Sequence, residues 1–401
     1  MANKSLLVLN AGSSSIKFAL FNLVDGSIDG SPVLSGLIDG IGAKTHFKAK
    51  NVKDETLIDE DLDMTGVNGL DEGHAKSLDY LNKWLDKQPE FGELAAIGHR
   101  VLHGGDFYSA PTVVDKKVFE ILESLIPLGP LHQAHNLRPI RAFFDIYPNV
   151  PQVACFDTAF HMTQDPLARR FPIPKEYHEK NIKRYGFHGI SFDYIAYALD
   201  KYMDKADADK KIIVAHLGNG SSLCAIHNRK CVTTTMSFTA LDGLMMGTRC
   251  GSVDAGMVLY LLDQMKMSVA EVSDLLYKKS GLLGVSGISQ DMRILEKSDS
   301  PDAKLAIELF IYRIAREMGS FTAALEGLDG IVFTAGIGEN AVEIREEICK
   351  RMEWMGVKIN KDANATRGTN LISAPDSKVK VYVIPTNEEW MIANYAYNLT
   401  K

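Results

Sequence analysis

Leu6-Leu7-Val8-Leu9-Asn10-Ala11-Gly12-Ser13-Ser14-Ser15-Ile16-Lys17-Phe18-Ala19-Leu20 sets an apolar run, a Gly/Ser cluster and a second apolar run in direct succession. Two such runs around small turn-forming residues predict a β-hairpin. The pattern recurs in Ile212-Ile213-Val214-Ala215-His216-Leu217-Gly218-Asn219-Gly220-Ser221-Ser222-Leu223-Cys224-Ala225-Ile226. Two copies of one unusual hairpin predict two domains with a common core. Glycine lets backbone N–H groups face one concavity and serine hydroxyls add donors, so both turns are candidate phosphate cradles. Two ordinary hairpins with a chance likeness are the competing reading.

A third segment, Gly330-Ile331-Val332-Phe333-Thr334-Ala335-Gly336-Ile337-Gly338-Glu339-Asn340, precedes a helical run from Ala341 to Met352. It predicts a strand, a glycine turn and a helix start that brings an anion to the positive end of the helix dipole. Gly336-x-Gly338-x-x-Ala341 also fits a loose dinucleotide fingerprint. That fold wants the turn early in a βαβαβ run, whereas Ala341 stands near the end of the chain. An ATP site drawn from two hairpins and a strand–helix turn fits better.

At 401 residues the chain exceeds one core and suits two domains, which we place at 1–158 with 390–401 and at 159–389. A net charge of −7 with dispersed lysines and arginines argues against a nucleic-acid partner. The five cysteines (155, 224, 231, 250 and 349) form no C-x-x-C pair and suit reduced thiols. Met1-Ala2-Asn3-Lys4 runs straight into a strand, and no apolar run reaches spanning length. We therefore expect a cytoplasmic protein with no membrane partner.

Leu78, Leu81, Trp84 and Leu85 give one helix its apolar face, and Ile307, Phe310, Ile311, Ile314, Met318, Phe321 and Leu325 mark a longer one. Further strands are expected over 95–99, 152–156, 230–234 and 379–384. Residues 40–70 read as a surface hairpin or flap, and 298–302 as a loop capping the long helix. The class is α/β, with mixed sheets early in each half.

Four segments hold charged or imidazole groups in unusual contexts: His99-Arg100-Val101-Leu102-His103-Gly104-Gly105, Phe156-Asp157-Thr158, Tyr185-Gly186-Phe187-His188-Gly189 and Met246-Gly247-Thr248-Arg249-Cys250-Gly251. Each alone suits a satisfied core histidine or a surface arginine. Together, two arginines, a histidine and an aspartate are what phosphoryl transfer to an anionic acceptor requires.

With Asn10 to Ser15 and Lys17, His216 to Gly220, Met246 to Arg249, Thr334 to Asn340 and Pro385-Thr386-Asn387-Glu388-Glu389 in this order, the chain resembles the acetate kinases of the acetate and sugar kinase/heat-shock 70/actin superfamily. The likeness covers essentially all of the chain. It implies a two-domain actin-like ATPase (ribonuclease H-like) fold, a duplicated ββαβα-type core with the active site in the interdomain cleft, and a homodimer. ATP and acetate would be the substrates, with Mg²⁺ as cofactor and Mn²⁺ able to replace it.

Carried over by motif, the metal site falls on Asn10 and Glu388. Nucleotide contacts fall on Ser13, Ser15, Lys17, His216, Leu217, Gly218, Asn219, Gly220, Gly336, Ile337, Gly338, Glu339 and Asn340, with Asp291, Met292 and Arg293 bordering the adenine. Arg100 matches the arginine that binds the acceptor carboxylate, in a pocket with Leu102, Leu131, His132, Phe187 and Ala240. Arg249 and His188 match the pair that stabilises the transferring phosphoryl group, and domain closure would exclude water. Asp157 matches the residue named as acid/base. A carboxylate acceptor is already ionised at neutral pH, so we read Asp157 as orienting an arginine or a metal-bound water.

The chain departs from the family pattern on the acceptor side. Gly129-Pro130-Leu131 replaces Ala-Pro-Leu, Gln133-Ala134 replaces Asn-Pro, Asp254-Ala255-Gly256 replaces Asp-Pro-Ala, and Thr235 to Gly243 diverges from its usual run. Leu102 stands for a valine and Ala240 for a proline. We expect Leu102 to dominate and acetate to be preferred over propionate. A propionate or other short-chain carboxylate kinase is the near alternative; a sugar kinase, an actin-like ATPase or a filament protein is more remote. A serine hydrolase lacks its G-x-S-x-G elbow, and a Walker-type NTPase lacks any Gly-Lys pair. A zinc site at His132-x-x-His135 lacks further ligands.

Overall fold

The computed structural model describes residues 4–24, 26–130 and 132–401. The chain forms two compact units, Met1–Phe160 with Asn387–Lys401, and His161–Thr386.

In the first unit, β1 (Lys4–Ala11) and β2 (Ile16–Val24) pair antiparallel around the Gly12–Ser15 turn, where the Gly12 N–H donates to the Ser15 carbonyl at 2.8 Å. Beyond them lie β3 (Ser27–Ile28), β4 (Leu34–Asp39), β5 (His46–Asn51) and β6 (Thr56–Asp61), all antiparallel. On the other side of β1, β7 (Glu93–Val101) runs parallel, followed across the sheet by β9 (Gln152–Phe156), parallel to β7, with the short β8 (Thr112–Val113) antiparallel to β9 at the edge. The second unit holds β10 (Ile212–Leu217), β11 (Ser221–His227), β12 (Lys230–Thr234), β13 (Gly330–Thr334) and β14 (Lys380–Val383).

The orders β4-β2-β1-β7-β9 and β12-β11-β10-β13-β14 are the same path: two antiparallel steps, then two parallel ones. The repeated hairpin is therefore the start of a repeated sheet. In both units the first strand is central and almost wholly buried, as a strand covered on both faces must be. The helix Gly69–Leu85 drives Leu78, Leu81 and Leu85 into the first core, and Glu388–Thr400 packs on β1 and β7. The helix Pro301–Leu325 supplies Phe310, Ile314 and Met318 to the second. The parallel strands end together in each unit, and open α/β sheets gather their ligands at such strand ends.

The structure differs from the sequence expectation in three places. Residues 46–61 are a hairpin, but not a free flap: β5 pairs with β4 and buries Phe47 and Ala49, so the sheet simply continues. The expected glycine turn after β13 is a short helix, Ala335–Asn340, entered directly from the strand. The loop at 298–302 is shorter than expected, because Ser300 caps the long helix and Pro301 is already its first residue.

Candidate active site

Strand ends build the first unit's polar cluster. Arg100 stands near the end of β7 and Asp157 directly after β9, two neighbouring parallel strands. The guanidinium grips the carboxylate through Nε at 3.2 and 3.1 Å and through Nη2 at 2.6 Å. Its Nη1 donates to Asn10 Oδ1 at 3.3 Å. Asp157 is 1 % exposed and Arg100 26 %, so the carboxylate is anchored while the guanidinium still reaches solvent. Burial alone would weaken the charge on Arg100, but Asp157 and Glu388 outweigh it and hold the guanidinium firmly protonated.

Lys17 faces Asn10 across the hairpin, and its ammonium meets Glu389 Oε1 at 3.0 Å. Glu388 begins the last helix, whose cap is Asn387. Burial, with Asp157 and Glu389 nearby, pushes the Glu388 carboxyl up to about 7 against the pull of Arg100 and Lys17. Three carboxylates thus face two cations, and the donors offered are oxygens, which suits a hard divalent ion. Ser13 and Ser15 lie in the turn, where the Ser13 carbonyl is 2.9 Å from His74 Nε2. Leu102 is buried, with its N–H donating to Asn136 Oδ1 at 2.9 Å, and His132 caps the helix Gln133–Ile146. Leu131 lies outside the described residues.

In the second unit the turn His216 to Gly220 is the floor of a second cluster. His188, in the left-handed region at φ 57°, caps the helix Gly189–Ala198. Its ring stacks on His216 at 4.3 Å, and its Nδ1 lies 2.9 Å from Ser222 Oγ. His216 Nδ1 lies 2.8 Å from Ser191 Oγ, which also contacts Thr386 Oγ1 at 2.8 Å. Arg249 Nη1 donates to the Ala240 carbonyl at 2.6 Å. A Cβ at Gly220 would stand 2.8 Å from Arg249 Nη2 and 3.1 Å from His188 Nε2, so both tips close over this glycine. Phe187, just before His188, is buried.

A cavity of about 620 Å³ opens beside this turn, lined by Gly218, Asn219, Asp291, Met292, Arg293, Gly336, Ile337 and Asn340 among others. Asp291 caps its own short helix and holds Arg293 through Nε at 3.0 Å. Leu217 and Gly338 do not line this cavity: Leu217 is in the core and Gly338 is buried in the short helix. Glu339 turns inward, accepting from the N–H groups of Ala335 at 2.8 Å and Thr386 at 3.2 Å. The carboxylate thus holds the strand–helix junction in shape.

Several residues of this machinery were not legible as such. Ser222 could have been found, since it faces His216 in the hairpin register. Arg345 gave no signal: buried, it donates to the carbonyls of Gly338 at 3.0 Å and Glu339 at 2.9 Å and to Asn364 Oδ1 at 2.8 Å.

The Acetokinase family profile matches residues 5–394. The chain belongs to the acetokinase family. An acetate kinase of Rhodopseudomonas palustris is 49 % identical over 397 residues, 98 % of each chain. The crystal structure of Porphyromonas gingivalis acetate kinase superposes with a TM-score of 0.87 at 36 % identity, covering 99 % of this chain and 100 % of that one. A propionate kinase from Francisella tularensis gives 0.89 at 37 % identity, covering 98 % and 99 %. The fold is therefore the two-domain α/β kinase fold of this family, and the duplicated sheet path is its framework.

Proposed function

We propose that this chain transfers the γ-phosphoryl group of ATP reversibly to acetate, giving acetyl phosphate and ADP. One observation carries the reading: Arg249 and His188 converge over Gly220, in the turn that borders the 620 Å³ cavity. Two donors at one point beside a nucleotide-sized cavity suit the equatorial oxygens of a phosphoryl group in transfer. The acetate kinases of similar sequence and structure support acetate as the acceptor.

Arg100 binds the acceptor carboxylate, and Asp157 fixes the guanidinium for that task. The acceptor brings no proton to be removed, so Asp157 acts as a positioning group rather than a base. Asn10 and Glu388 are the residues that would hold Mg²⁺, which neutralises charge on the ATP phosphates when bound. Arg249 and His188 carry the remaining charge, with His216 and Ser222 fixing the His188 ring. The cavity beside Asp291 and Arg293 receives the base of the nucleotide, and Lys17 supplies a further cation.

A homodimer is the assembly we favour. The helix Ala255–Asp263 is apolar in sequence yet buries none of its residues, with Leu259 65 % and Tyr260 57 % exposed. A second copy of the chain would cover such a face. Among the described residues no helix is long and apolar enough to cross a membrane, and we place the reaction in the cytoplasm.

A propionate kinase is the second reading, favoured by the Francisella neighbour and by the loss of bulk at Ala240. Hydroxylamine trapping of acyl phosphate with Mg-ATP and formate, acetate, propionate or butyrate tests both. Acetate should give the highest kcat/KM. A higher value with propionate would favour the second reading, and no hydroxamate with any acid would refute both.

A further inference from the structure

Three side chains unused by this chemistry meet in the interior of the second unit: His161, Cys224 of β11 and Cys231 of β12. Cys224 Sγ lies 3.4 Å from Cys231 Sγ, and His161 Nδ1 lies 3.1 Å from the same sulfur. All three ligand atoms fall within 4.8 Å of one another, and all three residues are buried. His161 Nε2 is 2.9 Å from the Phe187 carbonyl, which can only accept. That contact places the ring proton on Nε2 and turns the Nδ1 lone pair toward the sulfurs, as outer partners do for metal-binding histidines.

We propose that His161, Cys224 and Cys231 form a binding site for a thiophilic divalent cation of the zinc class. Tetrahedral zinc, with bonds of about 2.3 Å to sulfur and 2.0 Å to nitrogen, sets its ligand atoms roughly 3.3–3.8 Å apart. The contacts of 3.1 and 3.4 Å need only a small expansion to admit it. Charge selects among soft ions. Two thiolates and a neutral imidazole cancel a divalent charge, whereas a monovalent ion would leave an uncompensated anion in the core. Binding forms two metal–sulfur bonds and one metal–nitrogen bond and releases the two thiol protons to water, with no change in oxidation state. Phe187 immediately precedes His188, so an ion here would tie down the backbone that carries the phosphoryl-transfer histidine.

Co²⁺ titration of the full-length, chelator-treated protein, kept reduced with a phosphine, reads the site directly. One equivalent should produce intense thiolate-to-cobalt charge-transfer bands that Zn²⁺ abolishes. Oxygen ligands at a magnesium site give no such bands. Cys231→Ser and Cys224→Ser should each lose much of the intensity, and Zn²⁺ should raise the melting temperature of the wild type but not of Cys231→Ser. Absence of charge-transfer bands in the wild type would overturn the proposal without recourse to any variant. Bands of undiminished intensity in the Cys224→Ser/Cys231→Ser protein would overturn it equally.

Discussion

A Cβ on Gly129 would stand 2.4 Å from Leu102 Cδ2. The branched end of Leu102 therefore fills space that any larger residue at 129 would claim, and two departures from the family pattern fit each other. Gly129→Ala should force Leu102 to repack, at a cost of about 1–3 kcal/mol, and raise the KM for acetate. Leu102→Val with Gly129→Ala should recover most of both losses. A double-mutant cycle in stability and KM checks this; additive effects would show the two positions to be independent.

The convergence over Gly220 makes two substitutions informative. Arg249→Ala should lower kcat by roughly 10²–10³ with little change in the KM for ATP, as expected when a transition-state donor is removed. Gly220→Ala keeps both side chains but displaces their tips, and should lower kcat by about tenfold or more. Steady-state kinetics decide. A kcat within about threefold of wild type for Arg249→Ala would remove it from the mechanism.

At the proposed metal site, Glu388 would link metal binding to pH. Its carboxyl is pushed up to about 7, and only the ionised form binds a cation. Apparent Mg²⁺ affinity should be full above neutrality and fall about tenfold per pH unit below it. Glu388→Gln should bind Mg²⁺ weakly with a flat profile. Titration of Mg²⁺-dependent activity across the neutral range reads both, and an unchanged slope in Glu388→Gln would assign the pH dependence elsewhere.

Much of this was legible because it is local. The hairpins at Gly12 and Gly220 and the strands that flank them follow from apolar runs and turn residues within about twenty positions. The start of the short helix Ala335–Asn340 is hidden in the sequence because its glycines suggest a turn. What holds it is the Glu339 carboxylate on the N–H groups of Ala335 and Thr386, the latter 47 residues away in sequence. The Lys17–Glu389 contact spans 372 residues. A charged side chain on a helix ordinarily faces solvent, so nothing marks Arg345 as buried until Asn364 and the end of the short helix are in place.

Arg345 should accordingly be a stability residue with a kinetic signature. Arg345→Met leaves the carbonyls of Gly338 and Glu339 without their donor, beside residues that line the 620 Å³ cavity. We expect a loss of about 2–4 kcal/mol in unfolding free energy. The KM for ATP should rise severalfold with acetate binding unaffected. Denaturant unfolding and substrate-dependence kinetics test the pair of effects, and a normal KM for ATP in a destabilised protein would separate Arg345 from the nucleotide site.

In the proposed reaction a carboxylate oxygen attacks the γ-phosphorus of ATP. Acetate labelled with ¹⁸O in both carboxyl positions, incubated with Mg-ATP and the protein, tests it by ³¹P NMR. The product should be acetyl phosphate whose phosphorus resonance carries the isotope shift of a directly bonded ¹⁸O. Inorganic phosphate without acetyl phosphate, or acetyl phosphate with no isotope shift, would contradict it.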